Sequence, residues 1–220
     1  THPVMEEFVP QHTSEELAMR RDMCELIKRA YSNQLFTSSQ GTFSCRVGEN
    51  RFLITPYAKD RDYLEPEDLV LIENGKREAG KVPSRSVKLH SEIYRQHPDI
   101  KTVIVAHPPH IMAFAVTDQE FDARLIPESY LQLRTVQKYP FGSTFMEAEE
   151  LAAKLSMDNP VAIIENDCVI TTGTSLINAF DKLEVMEYSA KSVIMTHNVG
   201  QIVRITDEEV DEIEVAFGLK

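Results

Sequence analysis

The chain has 220 residues, of which 42% are hydrophobic and 26% are charged. This composition is typical of a globular domain with a buried core, and it excludes disorder over most of the length. The 23 basic and 35 acidic residues give a net charge of −12, so we expect neither nucleic acid nor an anionic membrane as a partner. No apolar run approaches the roughly 18 residues of a membrane helix, and residues 1–7 lack the pattern of a signal peptide. We therefore expect a cytoplasmic protein whose residues 1–220 form a single domain.

The three cysteines, Cys24, Cys45 and Cys168, lie far apart in the sequence. An odd number of cysteines, with no CxxC pair among them, fits neither a disulfide framework nor a zinc-binding knuckle. We predict that all three are buried and act as small hydrophobic side chains in a reducing compartment.

Up to residue 83, the chain is predicted to contain one helix and three strands. Residues 13–16, Thr-Ser-Glu-Glu, have the sequence of a helix capping box, and apolar residues then recur at helical spacing. Gly48-Glu49-Asn50 separates two strand-like segments and predicts a hairpin, while Asn74-Gly75 predicts a turn. The predicted helix covers residues 14–32, and the predicted strands cover residues 42–47, 51–55 and 69–72.

From residue 84 onward, the chain is predicted to contain five helices and three strands. The helices are predicted over residues 84–96, 111–116, 145–156 and 176–197, with a short one inside the acidic tail 206–218. The strands are predicted over residues 102–106, 160–164 and 169–172, and the first of these is apolar on both faces, as a central strand would be. Because strands and helices are mixed without a strict βαβ rhythm and hairpin pairs are present, we predict an α/β layered domain with a mostly antiparallel central sheet. Its core should extend over about residues 15–197.

Polar residues that follow buried strands are the first candidates for a functional site, since ligands gather where strands end. His107-Pro108-Pro109-His110 follows one strand, and Glu165-Asn166-Asp167 lies between two others. One hypothesis is a metal site made of His107, His110 and Asp167, with Glu165 as a further ligand. The alternative is that His107 caps a helix and His110 packs or faces solvent.

Two hydroxyl-rich segments are candidates for binding a phosphate or a carboxylate. The first is Ser38-Ser39-Gln40-Gly41-Thr42, and the second is Pro83-Ser84-Arg85-Ser86 at a predicted helix start. Helix amides and serine hydroxyls can hold an anion, and Arg85 can donate to two of its oxygens. The alternative interpretation is an ordinary turn followed by an N-cap serine.

Several short segments together resemble the class II aldolase/adducin family over about residues 15–197, in the same order and spacing. The segments are Ser39-Gln40-Gly41-Thr42-Phe43-Ser44, Phe52-Leu53-Ile54-Thr55-Pro56, Leu64-Glu65-Pro66-Glu67-Asp68-Leu69-Val70, residues 89–99, His107-Pro108-Pro109 and the strand–loop–strand around Asn166. The resemblance implies an α/β/α layered class II aldolase-like fold. It also implies a homotetramer with its sites between subunits.

In active members such as fuculose- and rhamnulose-phosphate aldolases, three histidines hold Zn²⁺ and a glutamate acts as acid/base. Here the paired histidine positions carry Val105 and His107, and the third histidine position carries Asp167. The Ser-Ser-Glu segment becomes Ser84-Arg85-Ser86, so a serine replaces the acid/base carboxylate. In the phosphate pocket, Gly-Asn becomes Gly41-Thr42, and Thr-Pro-Ser-Gly becomes Thr55-Pro56-Tyr57-Ala58.

Three hypotheses on function remain open. The first is an altered, metal-dependent lyase that cleaves a C–C bond in a sugar phosphate, with Asp167 and Glu165 as catalytic residues. Its divalent metal is zinc in the family, and manganese, iron or magnesium suit His107, His110 and Asp167 equally. The second is a metal-free sugar- or anion-binding or scaffold protein of the adducin-head type. Its sugar-phosphate or carboxylate ligand would contact Gly41, Thr42, Ser84, Arg85 and Ser86. The third is another reaction on the same scaffold, such as decarboxylation or epimerisation.

Overall fold

The computed structural model describes residues 5–220 and contains, within them, one nine-stranded sheet. The strands are β1 (Glu7–Phe8), β2 (Thr42–Gly48), β3 (Arg51–Ile54), β4 (Val70–Glu73), β5 (Lys76–Glu78), β6 (Thr102–Ala106), β7 (Gln137–Tyr139), β8 (Val161–Ile164) and β9 (Cys168–Gly173). Their order across the sheet is β1-β5-β4-β3-β2-β6-β9-β8-β7. The β1–β5 and β7–β8 pairs at the two edges are parallel, and the other pairs are antiparallel. The predicted mostly antiparallel sheet is confirmed.

Helices cover both faces of this sheet and complete three α/β/α layers. They are α1 (Ser14–Ser32), α2 (Val87–Gln96), α3 (Pro109–Ala115), α4 (Pro127–Leu133), α5 (Ala148–Lys154), α6 (Leu176–Met195) and α7 (Asp207–Ala216). Helices α1, α3 and α6 pack against one face and bury the larger of the two hydrophobic cores. Helices α2 and α5 pack against the other face over a second core. The predicted layered fold class is therefore correct.

Strand β2 shows how one segment contributes to both cores, because successive side chains point to opposite faces. Phe43 and Cys45 enter the larger core under α1 and α6. Ser44 lies on the other face, where its hydroxyl contacts His90 and Tyr94 of α2. The same alternation places Thr42 on the α2 side, at the end of the strand where the candidate residues meet.

Several predicted boundaries and elements need correction. Helix α2 begins at Val87 rather than at residue 84, because the hydroxyl of Ser84 donates to the Thr55 carbonyl instead of capping the helix. Helix α5 covers Ala148–Lys154 rather than residues 145–156, and α6 ends at Met195 rather than at residue 197. Strands β1, β5 and β7 and helix α4 were not predicted. They are two to seven residues long, too short for a clear hydrophobic period.

The remaining whole-chain predictions concern cysteines and membrane segments. Cys24, Cys45 and Cys168 are all free and buried, as predicted. Across the described residues, no helix is long and apolar enough to cross a membrane. Residues 1–4, which belong to the segment compared with a signal peptide, lie outside the described part of the chain.

A buried polar cluster joins α2 to the sheet beside the candidate site. The hydroxyl of Ser44 lies 2.6 Å from Nδ1 of His90 and 2.7 Å from the hydroxyl of Tyr94. The Nε2 atom of His90 is buried and finds no partner among the described residues. Burial lowers the pKa of His90 from its usual value of 6.5 to about 3, so its imidazole is neutral at physiological pH.

We expect His90 to make the stability of the protein depend on pH. Unfolded chains bind a proton at this histidine below pH 6.5, while the folded protein does so only near pH 3. The free energy of unfolding should therefore fall by up to about 1.4 kcal/mol for each pH unit below 6.5. Urea unfolding at several pH values measures the dependence of the free energy of unfolding on pH. Between pH 6.5 and 4, the slope of this dependence should be smaller in the His90→Gln variant than in the wild type, by the equivalent of about one proton. An unaltered slope in the His90 variant would contradict this assignment.

Candidate anion-binding site

The predicted site residues meet around a cavity of about 860 Å³ at one end of the central strands. Antiparallel pairing brings the start of β2 and the start of β9 to the end of β6, since Thr42 pairs with Val105 and Ala106 pairs with Val169. Seven of the nine predicted site residues line this cavity. They are Gly41, Thr42, Ser84, Arg85, Ser86, His107 and Asp167.

Gly41 allows the loop before β2 to form one wall of the cavity. Its φ of +108° lies in a region that residues with a side chain rarely adopt. A Cβ at this position would lie 2.3 Å from the ring of Phe36, so any larger residue would displace either the ring or the loop. The glycine therefore sets the path of the backbone at the cavity wall.

A buried arginine that the sequence did not indicate holds this wall in place. The guanidinium of Arg61 donates to the carbonyl oxygens of Gly41 (2.9 Å), Pro56 (3.0 Å) and Lys59 (2.8 Å). It thereby ties together the loops 38–41 and 56–59, both of which border the cavity. None of the ion pairs among the described residues includes Arg61, and burial lowers its pKa to about 10, with Asp60 opposing the shift. Arg61 thus stays charged at neutral pH, balanced by carbonyl dipoles.

The serines of the second predicted segment have different partners. The hydroxyl of Ser84 donates to the Thr55 carbonyl at 2.8 Å and lies 2.9 Å from the Thr55 hydroxyl. Its proton is committed to the fold, so Ser84 positions the loop. The hydroxyl of Ser86 donates to Oγ1 of Thr42 at 3.1 Å. This pair lies on the cavity wall, where both hydroxyls can exchange a mutual contact for a ligand oxygen.

Two exposed cations border the mouth of the cavity. The guanidinium of Arg85 lies over the ring of Tyr57, 5.0 Å from its centroid, and donates to the Tyr57 hydroxyl at 2.7 Å. Lys88 lines the same cavity from the first turn of α2. Arg85 is therefore oriented by an aromatic partner rather than neutralised by a carboxylate, which leaves its charge available to an anion.

His107 and Asp167 lie together at the floor of the cavity. Burial lowers the pKa of His107, and the nearby charge of Asp167 opposes this shift. The hydroxyl of Thr144 donates to Oδ2 of Asp167 at 2.6 Å and holds the carboxylate in place. Burial, together with the charge of Asp167, keeps the pKa of the Cys168 thiol well above its usual range, so this neighbouring side chain is a neutral thiol.

Two predicted metal-site residues do not reach this floor. Nδ1 of His110 lies 2.8 Å from a carboxylate oxygen of Glu187 in α6, and the same carboxylate accepts from the backbone amides of His110 and Ile111. His110 therefore packs against α6, in agreement with the alternative interpretation of the sequence. Glu165 is exposed in the turn between β8 and β9 and is not part of the cavity lining.

The residues present do not fit a three-ligand metal centre. Val105 occupies the position facing the cavity two residues before His107. Within residues 5–220, no group of three histidine, cysteine, aspartate or glutamate side chains is arranged to hold an ion. Only His107 and Asp167 remain of the predicted ligands, which is fewer than the three protein ligands of a catalytic zinc site.

The sequence missed several residues of the lining. Arg61 and Lys88 bring positive charge, Thr144 orients Asp167, and Phe145 forms part of the rim. Arg61 and Lys88 had no motif around them, and residues 145–147 were assigned to a helix. Tyr57, in the segment Thr55-Pro56-Tyr57-Ala58, was the one residue among those quoted for the resemblance that could have indicated an aromatic side chain at the mouth of the cavity.

Comparison with known proteins agrees with this arrangement of elements. The model of the class II aldolase and adducin N-terminal domain matches residues 21–194, so the chain belongs to that family. An L-fuculose phosphate aldolase of Methanococcus vannielii is 30% identical over 173 residues, or 77% of this chain and 90% of that protein. The 3-oxo-tetronate 4-phosphate decarboxylase of Haemophilus influenzae is 27% identical over 208 residues, or 90% of this chain and 97% of that protein. The fold matches YgbL of Escherichia coli with a TM-score of 0.81 and 23% identity, covering 90% and 98% of the two chains.

We expect Arg61→Met to destabilise the protein, because it leaves buried carbonyl oxygens of two loops without a donor. The free energy of unfolding should fall by about 1–3 kcal/mol, the scale of unsatisfied buried polar groups. Urea unfolding measures this change. The same substitution at Arg95, which is exposed on α2, should have little effect. Equal stability of the two variants would show that Arg61 does not hold the loops.

Proposed function

We propose that this chain binds a small sugar-derived anion, a sugar phosphate or a sugar carboxylate, in the cavity between loops 38–41 and 83–86. The observation that carries the proposal is the distribution of charge. The chain has a net charge of −12, yet Arg61, Arg85 and Lys88 line this one cavity. Asp167 is the single carboxylate that lines it among the described residues. Such a concentration of positive charge in a cleft favours an anionic ligand.

The polar groups divide the work of holding the anion. Arg85 presents a planar guanidinium that can donate to two oxygens of a phosphate or carboxylate, and Tyr57 restricts its orientation. Lys88 adds a second charge from the start of α2. The hydroxyls of Thr42 and Ser86 supply short-range donors at the wall. Following the family resemblance, we expect the protein to be a homotetramer with this cavity near a subunit boundary.

Metal-free binding is favoured over a metal-dependent lyase. Within residues 5–220, no third ligand lies beside His107 and Asp167, and Ser86 stands where the resemblance implies the acid/base glutamate. A serine hydroxyl is not ionised near neutral pH, so it cannot exchange protons as a carboxylate does. Glu165, the other carboxylate considered for catalysis, lies outside the cavity lining.

Carbon–carbon bond cleavage is the second candidate function, supported by the relatives, which include an L-fuculose phosphate aldolase and a decarboxylase. The Haemophilus influenzae relative is a decarboxylase of a phosphorylated keto acid, and it matches 90% of this chain. In this case the neutral imidazole of His107 and the carboxylate of Asp167 would be the groups that exchange protons with the substrate. The cations at the mouth would bind its phosphate, so both candidates share one anion subsite.

The Arg85→Ala variant tests the anion subsite. Loss of a charged, two-pronged donor should weaken binding of inorganic phosphate and of L-fuculose 1-phosphate about tenfold or more in isothermal titration calorimetry. The matched Arg95→Ala variant changes an exposed arginine of α2, outside the cavity lining, and should bind like the wild type. Unchanged affinity in the Arg85 variant would remove this residue from the site.

Metal content tests the choice of metal-free binding over a metal-dependent lyase. We expect far less than one divalent ion per chain by elemental analysis, even after incubation with zinc, manganese, iron or magnesium and removal of the excess. We also expect EDTA to leave phosphate binding unchanged. If the protein instead retains about one ion per chain, and His107→Ala and Asp167→Ala both lose it, the metal-dependent lyase is the better description.

A further inference from the structure

The floor of the cavity carries a carboxylate that the anion subsite does not use. Asp167, the last residue of the turn between β8 and β9, lines the cavity that Arg85 and Lys88 also line. A carboxylate only accepts hydrogen bonds, and its two oxygens have room for about four of them. Because it repels an anion, we expect the anionic end of a ligand to lie at the cations and a different part of the ligand to face the floor.

Both the backbone and the side chain of Asp167 are held in place. Its amide donates to the Ile164 carbonyl at 3.1 Å, and the amide of Asn166 donates to the Ala115 carbonyl at 2.8 Å, which fixes the turn. The hydroxyl of Thr144 donates to Oδ2 of Asp167 at 2.6 Å. This contact occupies one of the acceptor positions of the carboxylate. An acceptor that is oriented in advance loses little freedom when a ligand binds to it.

A neutral hydrogen-bond donor fits this floor better than a charged group. A second anionic group would be repelled by Asp167, and an ammonium group would be repelled by Arg61, Arg85 and Lys88, which line the same cavity. A hydroxyl group avoids both repulsions and donates to the carboxylate in a charge-assisted hydrogen bond. The imidazole of His107 lines the cavity beside Asp167 and offers the same hydroxyl a second partner.

Resting on the anion-binding function proposed above, we propose that Asp167 selects the ligand by accepting a hydrogen bond directly from one of its hydroxyl groups, with no metal ion between them. The phosphate or carboxylate of the ligand lies against Arg85 and Lys88, and its hydroxyl-bearing carbons extend to the floor. Asp167 determines specificity, and Thr144 is its positioning residue. The ligand class narrows to a polyhydroxylated molecule with an anionic end and no ammonium group. The cavity of about 860 Å³ is large enough for such a molecule.

The test compares three phosphate monoesters built on the same five-carbon chain. Ribitol 5-phosphate has a hydroxyl on each of its other carbons, pentyl phosphate has none, and 5-aminopentyl phosphate ends in an ammonium group. Isothermal titration calorimetry in buffer with EDTA measures the three affinities without a metal ion that could bridge ligand and protein. We expect the wild type to bind ribitol 5-phosphate about tenfold or more tightly than either of the other esters.

The Asp167→Asn variant removes the charge and keeps both the size of the side chain and an oxygen that can accept from Thr144. Affinity for ribitol 5-phosphate should fall about fivefold or more. Affinity for pentyl phosphate should stay equal or rise, because one charge that repels the phosphate is gone. A residue that only supports the fold would change both affinities in the same direction.

Glu165→Gln is the matched control. It removes the same charge from the same turn, at an exposed position outside the cavity lining, and should leave the ratio of the two affinities unchanged. Equal ratios in the Asp167→Asn and Glu165→Gln variants would overturn the role of Asp167.

Two variants of Thr144 test its role as a positioning residue. Thr144→Val removes the donor that orients the carboxylate and should reduce the preference for ribitol 5-phosphate about threefold. Thr144→Ser keeps the hydroxyl and should retain the preference of the wild type. If both variants behave alike, Thr144 does not orient Asp167.

The hydroxyl-binding floor and the anion subsite fail in different ways. Equal affinity of the wild type for all three esters, weakened for all of them in Arg85→Ala, would overturn the floor and leave the anion subsite standing. Tighter binding of 5-aminopentyl phosphate, or a preference for ribitol 5-phosphate that requires added zinc, would also overturn the floor. The same holds if Asp167→Asn lowers the molar mass measured by light scattering at an unchanged ratio, because Asp167 would then contact a second copy of the chain. Absence of binding by any ester would overturn both proposals.

Discussion

The cavity depends on one buried cation, because the guanidinium of Arg61 is what joins the two loops that enclose it. Its planar guanidinium donates hydrogen bonds to the carbonyls of Gly41, Pro56 and Lys59. These bonds hold two backbone segments together. The positive φ of Gly41 turns the backbone there into the path that these contacts require. Since no carboxylate pairs with Arg61 among the described residues, its charge also contributes to the positive potential of the site. The structure of both loops and the proposed affinity for anions therefore depend on the same side chain.

The sequence predicted the centre of the fold better than its edges. Strand β6 is recognisable because it is buried on both faces and therefore apolar over most of its length. Strand β2 is recognisable because the turn at residues 48–50 separates it from β3. The edge strands β1 and β7 have two and three residues, and pairing rather than hydrophobic pattern defines them. The start of α2 was misplaced because Ser84 has the residue type of an N-cap. Its actual partner, Thr55, is 29 residues away, and a local pattern carries no information on such a contact.

Strand topology brings some of the predicted site residues together, whereas side-chain direction keeps others apart. His107 and Asp167 follow strands whose ends meet, so they come together in the cavity. His110 has the spacing of a second ligand. However, its Nδ1 atom lies against the carboxylate of Glu187, which also accepts a hydrogen bond from its backbone amide. That carboxylate is 77 residues away in the sequence, on α6. Spacing along the chain restricts where a residue lies, whereas packing against a distant helix determines which way it points.

The charges at the cavity connect the proposed anion binding with the lack of a third metal ligand among the described residues. A divalent cation is stabilised by carboxylates and neutral imidazoles, and it is repelled by nearby fixed cations. Here Arg61, Arg85 and Lys88 line a cavity that contains one carboxylate among the described residues, and Val105 lines it at the position where the family resemblance implies a histidine. Arg85 stands between two serines where the family pattern ends in a glutamate, so the change from carboxylate to hydroxyl and the gain of a cation fall in one short segment. Both changes raise the local potential, which favours an anion and disfavours a metal ion at the same site.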